Sequence, residues 1–446
     1  MLSSRLLRVW LRPRGAVRAR LTRHTLVLFV ALSVVNAANY VFHVVMSRVL
    51  GPESYGALAG ILSAFVWIAI CAGALQLVVA REVAVADAGS VSRSRGDLGW
   101  LLQAAVRYSV APAIVLLAGT WWISRFLNLG TIGPAVLLAA YVVPASANAA
   151  ARGMLQGQLR FAWLGIVMGG TTVMRLMAAV IFVSLGWGIT GAVAASVVAE
   201  TLGLILALVP LRRDLAGWRT EVGRRRALGK EIILAASYLG AFWAIVNMDT
   251  FLVRHYFANA RSGFYASAAV AARSTLFFPA AIAMVCFPYF STGAAQADAR
   301  RLLKGALAMV AVLSGGGALV LASLGPRIVG VLFGDQYLWG AHLVGTLGAA
   351  MAVLAVVNVL VHYHLAVQSR VLWVLVAAAV VQVGAIHYLS FSLQTIAVAV
   401  LSVALGLMGW LLWAAYGSSS RERALSKGQF PSAGDERLSS PQRALE

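Results

Sequence analysis

The sequence is poor in charged residues, and especially in acidic residues and cysteine. Only 11% of its 446 residues are Asp, Glu, Lys or Arg, whereas 61% are hydrophobic, and the mean hydropathy is +0.84. A soluble domain cannot place so much apolar surface in its core, so the composition excludes an ordinary water-soluble protein. The two cysteines, Cys71 and Cys286, lie within apolar segments and give no basis for a disulfide framework or a thiolate metal site.

Motifs that bind nucleotides or metals are also missing. The glycine run at 314–317 lies inside an apolar segment and lacks the Lys and Ser/Thr of a phosphate-binding loop. His362 and His364 are two residues apart, so on a helix they point in different directions, which is poor spacing for a shared metal. We therefore expect no cofactor, no metal and no ATP-driven transport by this chain alone.

What is present is a series of apolar runs separated by short basic clusters. The chain has 36 Lys and Arg residues against 15 Asp and Glu, but the clusters do not form one soluble basic face, so we expect no nucleic-acid partner. Runs of about 20 apolar residues are long enough to cross a bilayer as helices. Twelve spans are predicted, near 25–47, 57–80, 101–122, 132–151, 163–183, 189–210, 232–253, 264–290, 305–324, 341–366, 371–391 and 395–415.

The distribution of basic residues predicts which side each turn faces. Three Lys and Arg residues fall within spans, most others fall on one side, and five fall in the turns of the opposite side: Arg48, Arg125, Arg254, Arg261 and Arg327. Cytoplasmic loops carry the excess of Lys and Arg, so this asymmetry predicts a bacterial inner-membrane protein with both termini in the cytoplasm.

A basic loop over 211–231 divides the spans into two halves. We predict a basic cytoplasmic arm over 1–24, six-helix lobes over 25–210 and 232–416, and a disordered cytoplasmic tail over 417–446. The halves carry a weak internal repeat, in which residues 50–57 correspond to residues 257–264. In this repeat Gly56 and Gly263 are predicted to close tight outer turns.

The first span carries a polar stripe. Its members recur at spacings of three and four, which places them on one helix face: Ser33, Asn36, Asn39, His43 and Ser47. Such residues either form hydrogen bonds between helices or line a watery lumen. Because the stripe runs the whole length of the span, it favours a lumen.

Charged residues also lie inside the predicted spans. Arg175 in the fifth span and Glu200 in the sixth have matching depths, which predicts a structural ion pair. Arg273 lies near mid-depth in the eighth span, too deep to snorkel easily. It is interpreted either as a contact for an anionic substrate or as the partner of Asp249 in the seventh span. Asp249 itself fits a coupling-ion ligand, a partner of Arg273 or Arg254, or a helix-end carboxylate.

Three segments resemble the polysaccharide and O-antigen flippases of the multidrug, oligosaccharidyl-lipid and polysaccharide exporter superfamily. The most specific is Arg-Val-Leu-Gly-Pro-Glu-Ser-Tyr-Gly at 48–56, which is similar to that family's turn after the first helix. Residues 247–253 with 263–266 resemble its junction of helices seven and eight, and residues 333–337 resemble its turn after helix nine. At 258–260 the sequence Ala-Asn-Ala departs from the usual glycine-containing pattern.

The resemblance implies an all-α fold with about twelve transmembrane helices in two six-helix lobes around a central cavity. Helices one, two, seven and eight would line the cavity, which would open alternately to each side. It also implies an oligosaccharide on a polyprenyl pyrophosphate as substrate. The residues expected to bind it are Arg273, Asn36, Asn39, His43, Asn247 and Asp249.

Three functions remain in competition. A flippase for a lipid-linked glycan fits the three intramembrane arginines, whereas a cation-coupled drug exporter would be expected to carry more acidic cavity residues than Glu200 and Asp249. A membrane glycan polymerase or ligase needs a sizeable outer loop, and the longest outer connection is roughly 325–340. The sequence thus favours a transporter, not an enzyme. Its expected partners are membrane lipids and the lipid-linked substrate, with a glycan polymerase or glycosyltransferases of the same pathway as candidates.

Overall fold

The computed structural model describes the backbone of residues 15–88, 99–212, 222–291, 296–366 and 371–427. Regular structure in these ranges is helical throughout. The helices are α1 (Gly15–Ala88), α2 (Gly99–Ala118), α3 (Thr120–Phe126), α4 (Gly133–Gly157), α5 (Phe161–Phe182), α6 (Gly188–Leu211), α7 (Val222–Tyr256), α8 (Ala260–Ser291), α9 (Gln296–Phe333), α10 (Leu343–Ala366), α11 (Leu372–Tyr388) and α12 (Leu393–Lys427). A 3-10 turn covers Asp335–Gly340.

Helix α1 contains the first two predicted spans and folds back at Gly51. Gly51 has φ 74° and ψ 171°, a conformation that glycine adopts at no steric cost, and Pro52 follows it. The imidazole of His43 lies 3.1 Å from the hydroxyl of Tyr55, although twelve residues of straight helix would separate them by about 18 Å. Residues 15–50 and 52–88 are therefore two separate spans.

Helices α5 and α6 join in a similar way. A π-helical turn, Val183–Trp187, connects them, and Gly186 within it has φ 86°. Helix α3 continues α2 as the end of the third span after a short break at Gly119. With the two halves of α1, the nine helices from α4 to α12 and this broken third span, the twelve predicted spans are confirmed.

Three helices extend beyond the predicted spans. Helix α1 begins at Gly15, inside the predicted arm 1–24, α7 begins at Val222, inside the predicted linker 211–231, and α12 continues to Lys427, inside the predicted disordered tail. The extensions contain Arg, Ala and Leu, which favour helix, and they only have to prolong a helix that the adjoining span has nucleated. Residues 1–14, 213–221 and 428–446, which hold the rest of the predicted arm, linker and tail, lie outside the described residues.

The helices pack into two groups that follow the two halves of the chain. In the first group both α2 and α6 pack on α4, while α1 packs on α4 and α5. In the second group α10 packs against α8, α9 and α12, and α11 joins α7 to α12. Contact between the groups runs mainly from α1 to α7 and α8. The elements that the resemblance assigns to the cavity wall thus meet at the boundary between the lobes.

The lobes are joined at one end, which we call the outer side because the charge pattern predicts that it faces outward. There Arg48 donates hydrogen bonds to the carbonyls of Val331 and Leu332 at the end of α9. The Tyr337 hydroxyl donates to the Ser47 carbonyl at 2.7 Å. Burial raises the pKa of the Tyr337 phenol, so this group stays protonated and keeps donating.

We call these contacts between the lobes on the outer side the outer seal. The two glycines of the internal repeat complete it. A Cβ atom on Gly56 would lie 2.6 Å from the backbone nitrogen of Gly263, and one on Gly263 would lie 2.6 Å from the carbonyl carbon of Pro52. Neither glycine has a positive φ. The prediction that they close tight turns is therefore wrong, because their role is to let the two repeats touch each other. In the turn between α7 and α8, Asn259 directly precedes α8, and its side chain accepts a hydrogen bond from the Arg261 N–H at 3.2 Å.

Toward the other end, the first span is less enclosed. Phe42 and Met46 are fully buried, whereas Val30, Val34 and Asn36 are exposed. Among the described residues, contact between the lobes therefore concentrates on the outer side. We call the end opposite the outer side the inner side.

Candidate functional site

Arg175 reaches from the middle of α5 to the polar stripe of the first span. Its Nη2 donates to Oδ1 of Asn39 at 2.6 Å. Its guanidinium carbon lies 4.4 Å from the centre of the Phe42 ring, a cation–π contact that helps to hold a charge away from water. Two residues of the first span thus fix the position of a cation contributed by the N-terminal lobe.

Arg273 provides a second cation, from α8 of the opposite lobe. Its Nη2 donates to the Thr250 hydroxyl at 2.8 Å and lies 3.5 Å from Oδ1 of Asp249. Its side chain is only 12% exposed. The predicted alternative of a pair between Arg273 and Asp249 is present, but the bond is long, and it engages one of the two terminal nitrogens.

His43 lies one helix turn after Asn39, the residue that accepts a hydrogen bond from Arg175. Its Nδ1 meets the Tyr55 hydroxyl, and the Tyr55 ring contacts Tyr337 edge-on at 6.0 Å. His43 therefore connects the site to the outer seal. Asn36, on the same helix face, is exposed and extends the stripe toward the inner side.

Both guanidinium groups keep an unused donor. The Nε atoms of Arg175 and Arg273 are buried and have no hydrogen-bond partner among the described residues. A buried donor without an acceptor costs about 1–3 kcal/mol, and more when it is charged. Two such donors in one site, one from each lobe, suit a ligand that carries several anionic oxygens.

Asp249 and Asn247 are placed differently from the prediction that they bind substrate. Asp249 is fully buried, and its oxygens accept from the Tyr265 hydroxyl at 2.9 Å and from the Thr250 N–H at 2.7 Å. Asn247 is also buried, and its amide donates to the Trp243 carbonyl one turn earlier. Neither side chain is open to a ligand in this conformation. Asp249 instead orients Arg273.

Glu200 and Arg175 do not form the predicted ion pair. Glu200 accepts from the Asn148 amide at 2.6 Å and from the Tyr141 hydroxyl at 3.3 Å, both on α4, whereas Arg175 turns to Asn39 on α1. Equal depth on neighbouring helices does not decide which side chains face each other, and here α4 and α1 supply nearer partners.

Arg254 is a structural residue that the sequence assigned to an outer turn. It is 4% exposed and donates to the carbonyls of Leu127, Asn128 and Ala258 and to the Ser262 hydroxyl. It therefore ties the turn after α3 to the junction of α7 and α8. In the sequence, this structural role had only a weak signal, namely an arginine five residues after Asp249 in an apolar helix.

The site offers several groups that can bind an anion. In the part of the chain that the structure describes, no group of three His, Cys, Asp or Glu residues is close enough to hold a metal ion. Two guanidinium groups, an imidazole and two amides can bind, orient and desolvate an anion.

Comparison with known proteins agrees with this geometry. The profile of the family described as "Polysaccharide biosynthesis protein" matches residues 45–341, which is about two thirds of the chain. No curated protein sequence matches the chain. The profile covers α1 from just before the Gly51 turn through the 3-10 turn and includes both arginines of the site.

Solved structures share the fold at low sequence identity. The lipid II flippase MurJ, in an inward closed conformation, has a TM-score of 0.70 and 10% identity, over 88% of this chain and 87% of that protein. An inward-facing multidrug resistance MATE family transporter of the MOP superfamily has a TM-score of 0.66 and 16% identity, over 88% and 99%. An outward-facing transporter of that description has a lower TM-score of 0.57 at 16% identity, over 92% and 97%. The matching family profile confirms the resemblance found in the sequence, and the chain belongs to the family of polysaccharide biosynthesis proteins, with a fold that it shares with these solved MOP superfamily structures.

Proposed function

We propose that the chain is a flippase that moves a polyprenyl-pyrophosphate-linked oligosaccharide across the bacterial inner membrane by alternating access. The observation that carries the proposal is the pair Arg175 and Arg273, which come from opposite lobes and each keep a buried, unpaired Nε–H. A diphosphate offers several anionic oxygens to such donors. Its sugars would occupy the inward-opening space toward Asn36 and Asn39.

This function needs binding and movement, not chemistry. Carrying a diphosphate and sugars through hydrocarbon is costly because polar groups lose their hydrogen bonds to water. A site with two cations, an imidazole and amides replaces part of those bonds. Because one cation lies on each lobe, a bound anion interacts with both lobes at once, and such differential binding is what shifts a two-state equilibrium.

A cation-coupled drug exporter is the competing function, and the charges of the site disfavour it. The two acidic residues near the site are engaged by protein donors: Asp249 by Tyr265 and Thr250, and Glu200 by Asn148 and Tyr141. Arg175 and Arg273, in contrast, each keep an unused donor. An anionic substrate is therefore favoured, and the similarity of the fold to that of a lipid II flippase supports the same class.

The orientation and partners belong to the same proposal. We place both termini in the cytoplasm, so that substrate enters from the side on which it is assembled. Glycosyltransferases would then act before this step, and a glycan polymerase after it. The basic asymmetry of the loops supports the orientation.

Binding of undecaprenyl diphosphate to the purified protein tests the proposal. Arg175→Ala and Arg273→Ala should each weaken binding about tenfold or more, since a hydrogen bond to a charged group contributes about 1.5–3 kcal/mol. The lysine variants should fall between wild type and alanine because they keep the charge and lose the fork. Cells that carry only an alanine variant should stop exporting their glycan.

Arg107→Ala is the matched control, since Arg107 is an exposed arginine on α2 outside the site. It should bind and export like wild type. Unchanged diphosphate binding in a folded Arg175→Ala, Arg273→Ala double variant would contradict the proposal. The proposal would also be contradicted if cells needed this chain for the efflux of cationic dyes but not for the export of their glycan.

A further inference from the structure

A large apolar cavity lies in the N-terminal lobe, outside the site described above. It has a volume of about 910 Å³ and lies between the second half of α1, α2, α3 and α4, with one residue of α7, Phe251, at its edge. Ligand pockets have volumes of about 300–1,000 Å³, so this one is at the upper end. Its α1 wall runs from Ala64 to Val79, within the second span, so it lies at the depth of the hydrocarbon.

The cavity exists because α2 leaves its neighbours. Near the start of α2, Leu101, Ala105 and Ser109 are buried, but residues beyond them are mostly exposed. Pro112 lies at this change and lines the cavity. Proline removes a backbone hydrogen bond from the helix at this point.

The walls suit a long hydrocarbon chain. Aromatic side chains line the cavity: Trp67, Trp100, Tyr108, Trp122 and Phe251. Of its few polar residues, Ser109 uses its hydroxyl on the Val106 carbonyl of its own helix. Water gains little in such a space, whereas each CH₂ group that leaves water for it contributes about 0.8 kcal/mol.

Helix α7 connects the cavity with the charged site. Phe251 contacts the Trp67 ring at 5.2 Å on the cavity side. The two residues before it, Asp249 and Thr250, contact Arg273 on the other side of the same helix. At this end the Trp67 indole N–H is buried and has no hydrogen-bond partner among the described residues. One helix turn thus contacts both the cavity wall and Arg273, and the Trp67 indole offers a free donor next to Phe251.

We infer that this cavity holds the polyprenyl chain of the lipid-linked substrate while its diphosphate lies between Arg175 and Arg273. The inference rests on the proposed function and adds a second binding site to it. The chain lies against α2 and the second half of α1, with its diphosphate end toward Trp67. The occupant is a long isoprenoid, because a volume of this size fits a bulky branched chain better than one slim acyl chain.

Cys71 provides a native reporter, since it is exposed and lines the cavity. In a Cys286→Ser background, labelling of Cys71 by a small lipophilic thiol reagent is measured with undecaprenyl diphosphate, farnesyl diphosphate or phosphatidylglycerol present. Undecaprenyl diphosphate at ten times its dissociation constant should slow labelling about tenfold, the factor set by site occupancy. The short-chain diphosphate and the phospholipid should protect much less.

Two controls make the test specific. A single cysteine at Leu319, an exposed position on α9, should label equally fast with each lipid. Ala104→Phe, which fills the cavity, should weaken undecaprenyl diphosphate binding about tenfold, whereas Ala111→Phe, an exposed position on the same helix that does not line the cavity, should not.

The outcomes separate this inference from the proposed function. Equal protection of Cys71 by phosphatidylglycerol would overturn the inference, since the cavity would then hold ordinary membrane lipid. No protection by undecaprenyl diphosphate, with binding that still depends on Arg175 and Arg273, would overturn it too and leave the flippase function standing. Protection that persists when both arginines are replaced, with binding unchanged, would support the chain site and contradict the diphosphate site.

Discussion

At the scale of single residues, the arginines of this protein differ in how completely they are bonded. Arg254 directs its guanidinium at three carbonyls and a hydroxyl, whereas Arg175 and Arg273 each leave Nε without a partner. A fully bonded buried arginine holds structure together. One with an unused donor is available to a ligand, so hydrogen bonding separates the two roles where burial alone does not.

Arg254→Ala should therefore destabilise the protein. It leaves the carbonyls of Leu127, Asn128 and Ala258 without their donor, and each buried unsatisfied group costs about 1–3 kcal/mol. We expect the free energy of unfolding in detergent to fall by about 3 kcal/mol or more, with Arg254→Lys in between because its ammonium cannot reach all acceptors. Denaturation of the purified variants measures this.

Arg261→Ala is the control for that prediction, because Arg261 lies nearby and is exposed. It should unfold like wild type. Equal stability of Arg254→Ala and Arg261→Ala would show that the bonds of Arg254 contribute nothing.

At the scale of helices, the outer seal depends on the contact of two glycines that the internal repeat relates. The second half of α1 and the start of α8 approach until Gly56 and Gly263 leave no room for a side chain. Such close contact is typical of small residues between membrane helices. The repeat therefore has a structural consequence, since corresponding segments of the two lobes meet.

Gly263→Leu should open the outer side. Overpacking at this contact costs about 1–3 kcal/mol in the sealed state only, which favours an outward-open state by about five- to 150-fold. A cysteine at Ser47, which is fully buried beneath the seal, should then react faster with an impermeant thiol reagent added outside. The measurement uses a Cys71→Ser, Cys286→Ser background.

Gly409→Leu on α12 serves as the matched glycine variant, because a Cβ at that position meets nothing within 4 Å. Its reporter should react as slowly as in the parent protein. If Gly263→Leu also leaves the reaction rate unchanged, the glycine contact is not what closes the outer side.

At the scale of the whole molecule, the proposed orientation follows from the basic residues. The turns on the outer side hold few of the 36 Lys and Arg residues. Single cysteines at Arg261 and Gln336 should react with impermeant reagents in intact cells, and cysteines at Leu159 and Arg212 only after the membrane is opened. All four positions are exposed, so burial does not interfere. The opposite pattern would invert the topology and, with it, the direction of transport.

The extent of the fold that sequence could predict is clearest in the first lobe. Span ends lie within two residues of those in the structure for α5 and α6, and the start of α4 agrees within one residue. The Gly51 turn was also placed correctly. By contrast, α7 and α12 extend into segments predicted to be linker and tail. Hydropathy marks where the chain lies in hydrocarbon, and it does not register a helix that continues into water.

The roles of the candidate site residues stay predictions. Arg175, expected only in a structural pair, bonds to Asn39 on the helix face that also carries His43, and Arg273 approaches Asp249. Asp249 and Asn247 prove to be buried and bonded within the protein, and the apolar cavity beside α2 had no sequence signal. A residue's depth follows from its position along a helix, but the direction that its side chain faces depends on the neighbouring helices.

The sequence by itself determined the membrane class, the twelve spans, the family and the presence of deep cationic residues. Each of these depends on local composition or on a contiguous motif, which survive without knowledge of packing. Only the tertiary structure decided that Arg175 bonds to Asn39 and not to Glu200, that Arg254 is bonded throughout, and that Gly56 meets Gly263. These are contacts between residues far apart in the chain, and they are fixed by how the helices rotate and approach when they pack.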